Sequence, residues 1–173
     1  MENPKLKHNI EVLKDRCHVA SVLCNRASIY YTRFKNILLF PNLLISSVSM
    51  IINQNGIDPH VLKYYNTCVN AITVFLIAIM NQLKISENAD IFKSSSNSLL
   101  MLLHEVENAE NKEADVSTEF ISNSTQKYDM IMSTLPVIPS RIREKTRTEY
   151  GGKYHLPLVI NGIPKVSISE AEV

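Results

Sequence analysis

The sequence predicts an all-α membrane protein: a two-transmembrane helical hairpin with long cytoplasmic helical arms and an extended C-terminal tail. Three observations lead there. Residues 36–57 and 64–83 carry no formal charge, and only Asp58, His60 and Lys63 stand between them, in a chain that is 20% charged. Each run is about 20 residues, so each forms a helix of roughly 30 Å, the thickness of a bilayer's hydrocarbon core. The composition has four glycines and no tryptophan, and is rich in Leu, Ile, Met, Lys, Glu and Asn, which favours helix over a sandwich or barrel.

Residues 1–35 read as an amphipathic N-terminal helix. Ile10, Leu13, Cys17, Ala20, Cys24, Ala27, Tyr31 and Phe34 alternate steps of three and four, a heptad seam. Its centre is small, which suits close contact with the C-terminal arm or another subunit. Cys17 and Cys24 share the seam as a redox pair or, more simply, as small packing residues. The polar start, Met1 to Lys7, predicts no cleaved signal peptide.

Residues 36–84 read as the hairpin, with spans at about 37–54 and 64–84. Pro41 either kinks the first span or marks where a preceding helix breaks. Asn55-Gly56-Ile57-Asp58-Pro59 signals a turn. Arg16, Arg26, Arg33 and Lys35 precede the first span and Lys84 and Lys93 follow the second, whereas the loop offers Lys63. Cationic residues stay on the cytoplasmic side, so both termini are expected there, or on the capsid-facing side of a virion. A soluble bundle with two fully buried helices is the competing reading. It is the weaker one, because a helix in a small soluble domain usually turns one face to water.

Each span carries a polar stripe. Asn42, Ser46, Ser49 and Asn53 share one face of the first helix, and Asn66, Asn70, Thr73 and Asn81 fall at helical spacing in the second. Lipid cannot satisfy such groups, so the stripes face protein or water. They either bond across the hairpin or between protomers, or line a pore made by several hairpins.

Residues 85–139 read as a C-terminal helical arm. The run Ser94-Ser95-Ser96-Asn97-Ser98 suggests a break or a poor turn, and residues 108–115 a charged loop. Val116, Phe120, Ser124, Tyr128, Ile131 and Leu135 form a further helical stripe, ended by Leu135-Pro136-Val137-Ile138-Pro139. Asn123-Ser124-Thr125 matches a glycosylation acceptor that matters only in a lumen. Residues 140–173 form a basic segment and tail. Arg141, Arg143, Lys145 and Arg147 suit anionic lipid or an acidic partner, or simply a solvated helix. Gly151-Gly152 reads as a hinge and residues 156–164, with Pro157 and Pro164, as extended chain.

The formal net charge of +1 gives no drive toward nucleic acid. No paired carboxylates, metal-type His/Cys spacing, phosphate-cradling glycine loop or nucleophile motif is present, so no enzyme activity and no cofactor is expected.

Tyr30-Tyr31 leading through Pro41 into the first span, Ser46-Ser47 within it, the Asn55-Gly56 turn, and Tyr128 with Leu135-Pro136-Val137-Ile138-Pro139 after the second carry a resemblance. Over about residues 14–139 the chain resembles the SLATT family, the SMODS and SLOG-associating two-transmembrane effector domains. That resemblance implies a pore-forming or membrane-disrupting effector paired with a nucleotide-sensing partner. Similar two-span proteins of large DNA viruses imply a different setting. The tail beyond residue 140 lies outside the resemblance.

The expectation drawn from all of this is a non-enzymatic membrane anchor or scaffold. The bilayer and a second copy of the chain are its first partners. Its tail would dock a protein layer beside the membrane, as in a virion membrane beneath a capsid. The alternative is a SLATT-like pore.

Overall fold

The computed structural model describes residues 4–54, 58–111 and 117–161, and these are helical almost throughout, with no strand among them. The six helices are α1 (Pro4–Gln54), α2 (Pro59–Gln82), α3 (Ile85–Asn111), α4 (Thr118–Ser133), α5 (Ser140–Tyr150) and α6 (Leu158–Asn161). By internal contacts the chain divides into one unit of residues 1–27 and 92–173 and another of residues 28–91. The divisions fall inside α1 and α3, not at the ends of the apolar runs.

The first unit holds a packed core. Cys17, Val19, Ala20, Leu23, Cys24, Ala27, Phe92 and Leu99 are all 0% exposed. On α1 the buried arc is wider than the heptad seam, since Val19, Ser21 and Leu23 lie off it and are buried too. A single seam serves one neighbour, but here α1 has several. The Ser96 hydroxyl of α3 donates to the Ser21 carbonyl at 2.9 Å, and Lys14 pairs with Glu110 of α3 at 2.7 Å. Arg26 reaches Thr146 and Glu149 of α5 at 3.2 and 2.7 Å, and the His155 N–H donates to Asp15 at 3.0 Å.

The serine patch is no break. α3 runs unbroken through Ser94 to Ser98, with Ser95 and Ser96 buried. Serine is a weak helix former because its hydroxyl competes for backbone groups. Here Ser96 spends that hydroxyl on the neighbouring helix, and its small side chain lets α1 and α3 approach. Of the charged stretch at residues 108–115, the part up to Asn111 is still helix; residues 112–116 lie outside the described residues. α4 starts at a Ser117 cap, whose hydroxyl accepts the Phe120 N–H at 3.1 Å, and buries Ser124 and Tyr128.

Within the segment read as extended, Leu158–Asn161 makes one helical turn, with the Ile160 N–H donating to the Pro157 carbonyl at 3.0 Å. Proline is well suited to precede such a turn, because the N–H it lacks would find no helical acceptor there. Pro157 and Ile160 are buried, so this part of the tail belongs to the first unit's own core. Gly152 has φ +123°, a conformation that favours glycine, just past the C-cap of α5. Residues 162–173, including Pro164, lie outside the described residues.

In the second unit α1 continues through Pro41 without interruption. Proline has no N–H, so the Ile37 carbonyl loses its helical donor. α2 begins at Asp58, whose carboxylate accepts the His60 N–H at 2.8 Å, with Pro59 in the first helical position. The Asn55, Gly56 and Ile57 part of the expected turn lies outside the described residues. α2 passes to α3 through Lys84, held at φ 46°. At that end of the unit Ser28 donates to the Ala89 carbonyl at 3.0 Å and Lys35 to the Ser86 hydroxyl at 3.0 Å.

Candidate functional site: an exposed apolar helix pair

Three side-chain bonds join α1 to α2. The Thr73 hydroxyl donates to the Asn42 side-chain carbonyl at 2.9 Å, Ser49 and Tyr65 hydroxyls lie 3.3 Å apart, and the Asn66 amide donates to Asn53 at 3.2 Å. Partner numbers rise on α2 as they fall on α1 across the first two bonds, so this stretch of the pair is antiparallel. Ser49 already donates its single proton to the Ile45 carbonyl at 2.8 Å, so Tyr65 supplies the proton between the two hydroxyls.

The structure therefore brings together Asn42, Ser49, Asn53, Asn66 and Thr73 of the two polar stripes. Ser46 is exposed and donates to its own helix at the Asn42 carbonyl, 2.9 Å away. Asn70 and Asn81 are exposed, and their amides bond nothing among the described residues. Tyr65 was not among the candidate residues. Its signal was available, since Tyr65, Val69 and Thr73 recur every four residues and so share a face.

What surrounds this pair is apolar and open. α2 has no buried residue. Ile37, Phe40, Leu43 and Met50 of α1 and Val74 and Phe75 of α2 are each 64–66% exposed. Two helical stretches, 5–53 and 59–111, are long and apolar enough to cross a membrane by length and composition. None of the most apolar window of the first is buried, and 6% of that of the second.

The remaining sequence candidates fall in or beside the first unit. Of the seam, Ile10, Leu13, Cys17, Ala20, Cys24 and Ala27 are buried, while Tyr31 and Phe34, in the second unit, are half-buried. Burial pushes the Cys17 and Cys24 thiols up to about 12 from 9.0, and pushes the Tyr128 phenol up as well. Seven residues along a helix is about 10 Å, too far for a disulfide between them. Both are free, and they act as small core residues.

The four cations of α5 do not share a face. Arg141 and Lys145 are exposed one turn apart, Arg147 is exposed on another side, and Arg143 is half-buried with its Nε enclosed and unbonded. Arg26 lies 5.8 Å over the Tyr150 ring, and His18, Tyr150 and Tyr154 gather beside it with centroids 5.6–6.1 Å apart. Among the described residues no three His, Cys, Asp or Glu side chains come together as a metal site would need.

The fold and this surface define an all-helical protein with two helices able, by length and composition, to cross a bilayer. No family model, no curated protein and no solved structure matches the chain.

Proposed function

We propose that this chain is a two-span integral membrane protein with both termini cytoplasmic, serving as a non-enzymatic anchor that self-associates and holds a protein layer beside the bilayer. One observation carries the reading: a single helix, α1, buries Ile10, Leu13, Cys17, Val19, Ala20, Leu23, Cys24 and Ala27 before residue 28, and from residue 29 to 53 it buries none. Fully burying a Leu, Ile, Val or Phe side chain is worth roughly 1.5–3 kcal/mol. Leaving the open residues of both helices half in water would forgo something on the order of 10–15 kcal/mol, as much as the whole stability of a domain. A bilayer removes that cost and a soluble bundle does not.

The antiparallel bonds between Asn42 and Thr73 and between Ser49 and Tyr65, with the contact of Asn53 and Asn66, suit a membrane hairpin, because they close polar groups that lipid would leave unsatisfied. The cationic flanks at Arg16, Arg26, Arg33, Lys35, Lys84 and Lys93 support the orientation. The SLATT resemblance supports a rival pore, and the open Asn70 and Asn81 amides are the feature that favours it.

Two experiments separate these readings. Alkaline carbonate should leave the full chain in the membrane pellet; release into the supernatant defeats the membrane assignment. Reconstituted into dye-filled liposomes, an anchor retains the dye and a pore releases it. The docking role is tested by deleting residues 162–173 alone, because Pro157 and Ile160 are needed by the first unit's core. The deletion should lose the partner layer while keeping insertion.

A further inference from the structure

We infer that the hairpin pairs with a second copy of this chain through a polar face centred on Asn70. The inference rests on the membrane reading above. Helix geometry places the face. Successive residues turn by about 100°, so Asn70 and Asn81 lie within about 20° of each other on α2. Both sit on the flank of the α1 contact that also holds Asn66 and Thr73. On α1, Ser46 and Asn53 lie on the flank that holds Asn42. The bonds from Asn42 to Thr73 and from Asn53 to Asn66 bring those two flanks to the same side of the pair.

The pair therefore has one side on which Ser46, Asn53, Asn70 and Asn81 stand among Leu43, Met50 and Ile77. Its other side carries Leu44, Val48, Ile72, Phe75 and Ile79. The apolar side suits lipid. On the polar side, Ser46 satisfies its hydroxyl on its own helix and Asn53 is bonded to Asn66. Asn70 is left with two donors and an acceptor unused, about 16 Å along a helix of 24 residues, close to its middle. Neither water nor a headgroup reaches that depth.

The occupant follows from the chemistry. The face is neutral, so it selects no charged partner. A carboxamide is its own complement, donor to acceptor and acceptor to donor. A second copy inserted in the same orientation necessarily presents its Asn70 at the same depth, and a two-fold contact sets the two against each other. By the register of the Asn42–Thr73 and Ser49–Tyr65 contacts, Ser46 sits within one or two residues of the level of Asn70, and its small side chain lets the helices approach.

The chain carries its own control. Cys68 is exposed two residues before Asn70, so it points about 200° away, toward the lipid side. Cys17 and Cys24 are buried and stay silent. In proteoliposomes treated with a membrane-permeant oxidant, Asn70→Cys in a Cys68→Ser background should cross-link to a dimer, and the native chain should not. Asn70→Leu, which inserts at least as readily, should weaken energy transfer between labelled copies by roughly threefold to tenfold on dilution with lipid. Cross-linking of native Cys68 as strong as that of Asn70→Cys, or none from either, overturns the pairing. So does unchanged energy transfer in Asn70→Leu. Carbonate extraction of the same samples keeps the two failures apart. A chain released by carbonate overturns the membrane reading and this one together, whereas a retained chain without the Asn70→Cys dimer overturns only the pairing.

Discussion

Replacing Phe75 by Arg sets the two solvents against each other with opposite signs. Phe75 is 64% exposed and within a residue or two of the middle of the second apolar run. If that run crosses a bilayer, the change gives up about 0.3–0.6 kcal/mol of favourable insertion and adds about 2.5–3.5, some 3–4 kcal/mol in all. That is a factor of several hundred in the insertion equilibrium. If the run stands in water, the change swaps an open aromatic ring for a solvated charge, and surface changes of that kind stay within about 0.5 kcal/mol. Val74 is 65% exposed beside it, so Val74→Arg with Phe75→Arg roughly doubles the bilayer cost and leaves the aqueous case near neutral. The assay is glycosylation-mapped insertion into microsomes, with acceptor sites engineered on either side of the segment. The single variant should lower the inserted fraction and the double variant nearly abolish it. A double variant that inserts like the parent, or that merely gains soluble yield, refutes the argument from exposure.

Other outcomes follow from individual contacts. Thr73→Val removes the donor to Asn42; a double-mutant cycle with Asn42→Leu should return about 0.6–1.7 kcal/mol of coupling in detergent unfolding, and a value near zero would mean the two helices are not held there. Phe92→Ala, at a fully buried position, should cost about 3–5 kcal/mol and lower the unfolding midpoint of the first unit without changing carbonate retention. Alkali should destabilise the first unit. The Cys17 and Cys24 thiols ionise near 9 when unfolded and at about 12 when folded, so between those values the unfolded chain sheds protons first and stability falls as pH rises. Urea midpoints should drop across that window, and less so in Cys17→Ala/Cys24→Ala; an unchanged slope in the double variant would remove the thiols from the explanation.

The sequence made the apolar pair legible because absence of charge over some 20 residues is a long, redundant signal. It made one edge of the α1 core legible because small residues at Cys17, Ala20, Cys24 and Ala27 keep helical spacing. It hid the rest of that core, Val19 and Leu23, because a periodicity argument names one neighbour and α1 meets several. Ser95 and Ser96 read as a weak point because propensity is a local quantity. The Ser21 carbonyl that rewards Ser96 lies 75 residues away in the chain. The polar stripes were visible as stripes, but their sorting was not. Asn42 and Asn70 look alike in sequence, and only the register of α1 on α2 gives one a partner and leaves the other open. Arg141, Arg143, Lys145 and Arg147 stand at every second position, which sequence leaves open between a contact surface and a solvated helix; the 11-residue helix α5 puts Arg141 and Lys145 on one side and Arg143 and Arg147 on another.

The central claim is that lipid touches the open sides of α1 and α2. The chain contains no tryptophan, so Phe75→Trp gives a single fluorescent reporter on the surface in question. In liposomes containing lipids brominated along the acyl chain, its emission should be blue-shifted and strongly quenched. A red-shifted emission that aqueous iodide quenches and brominated lipid does not would contradict the account.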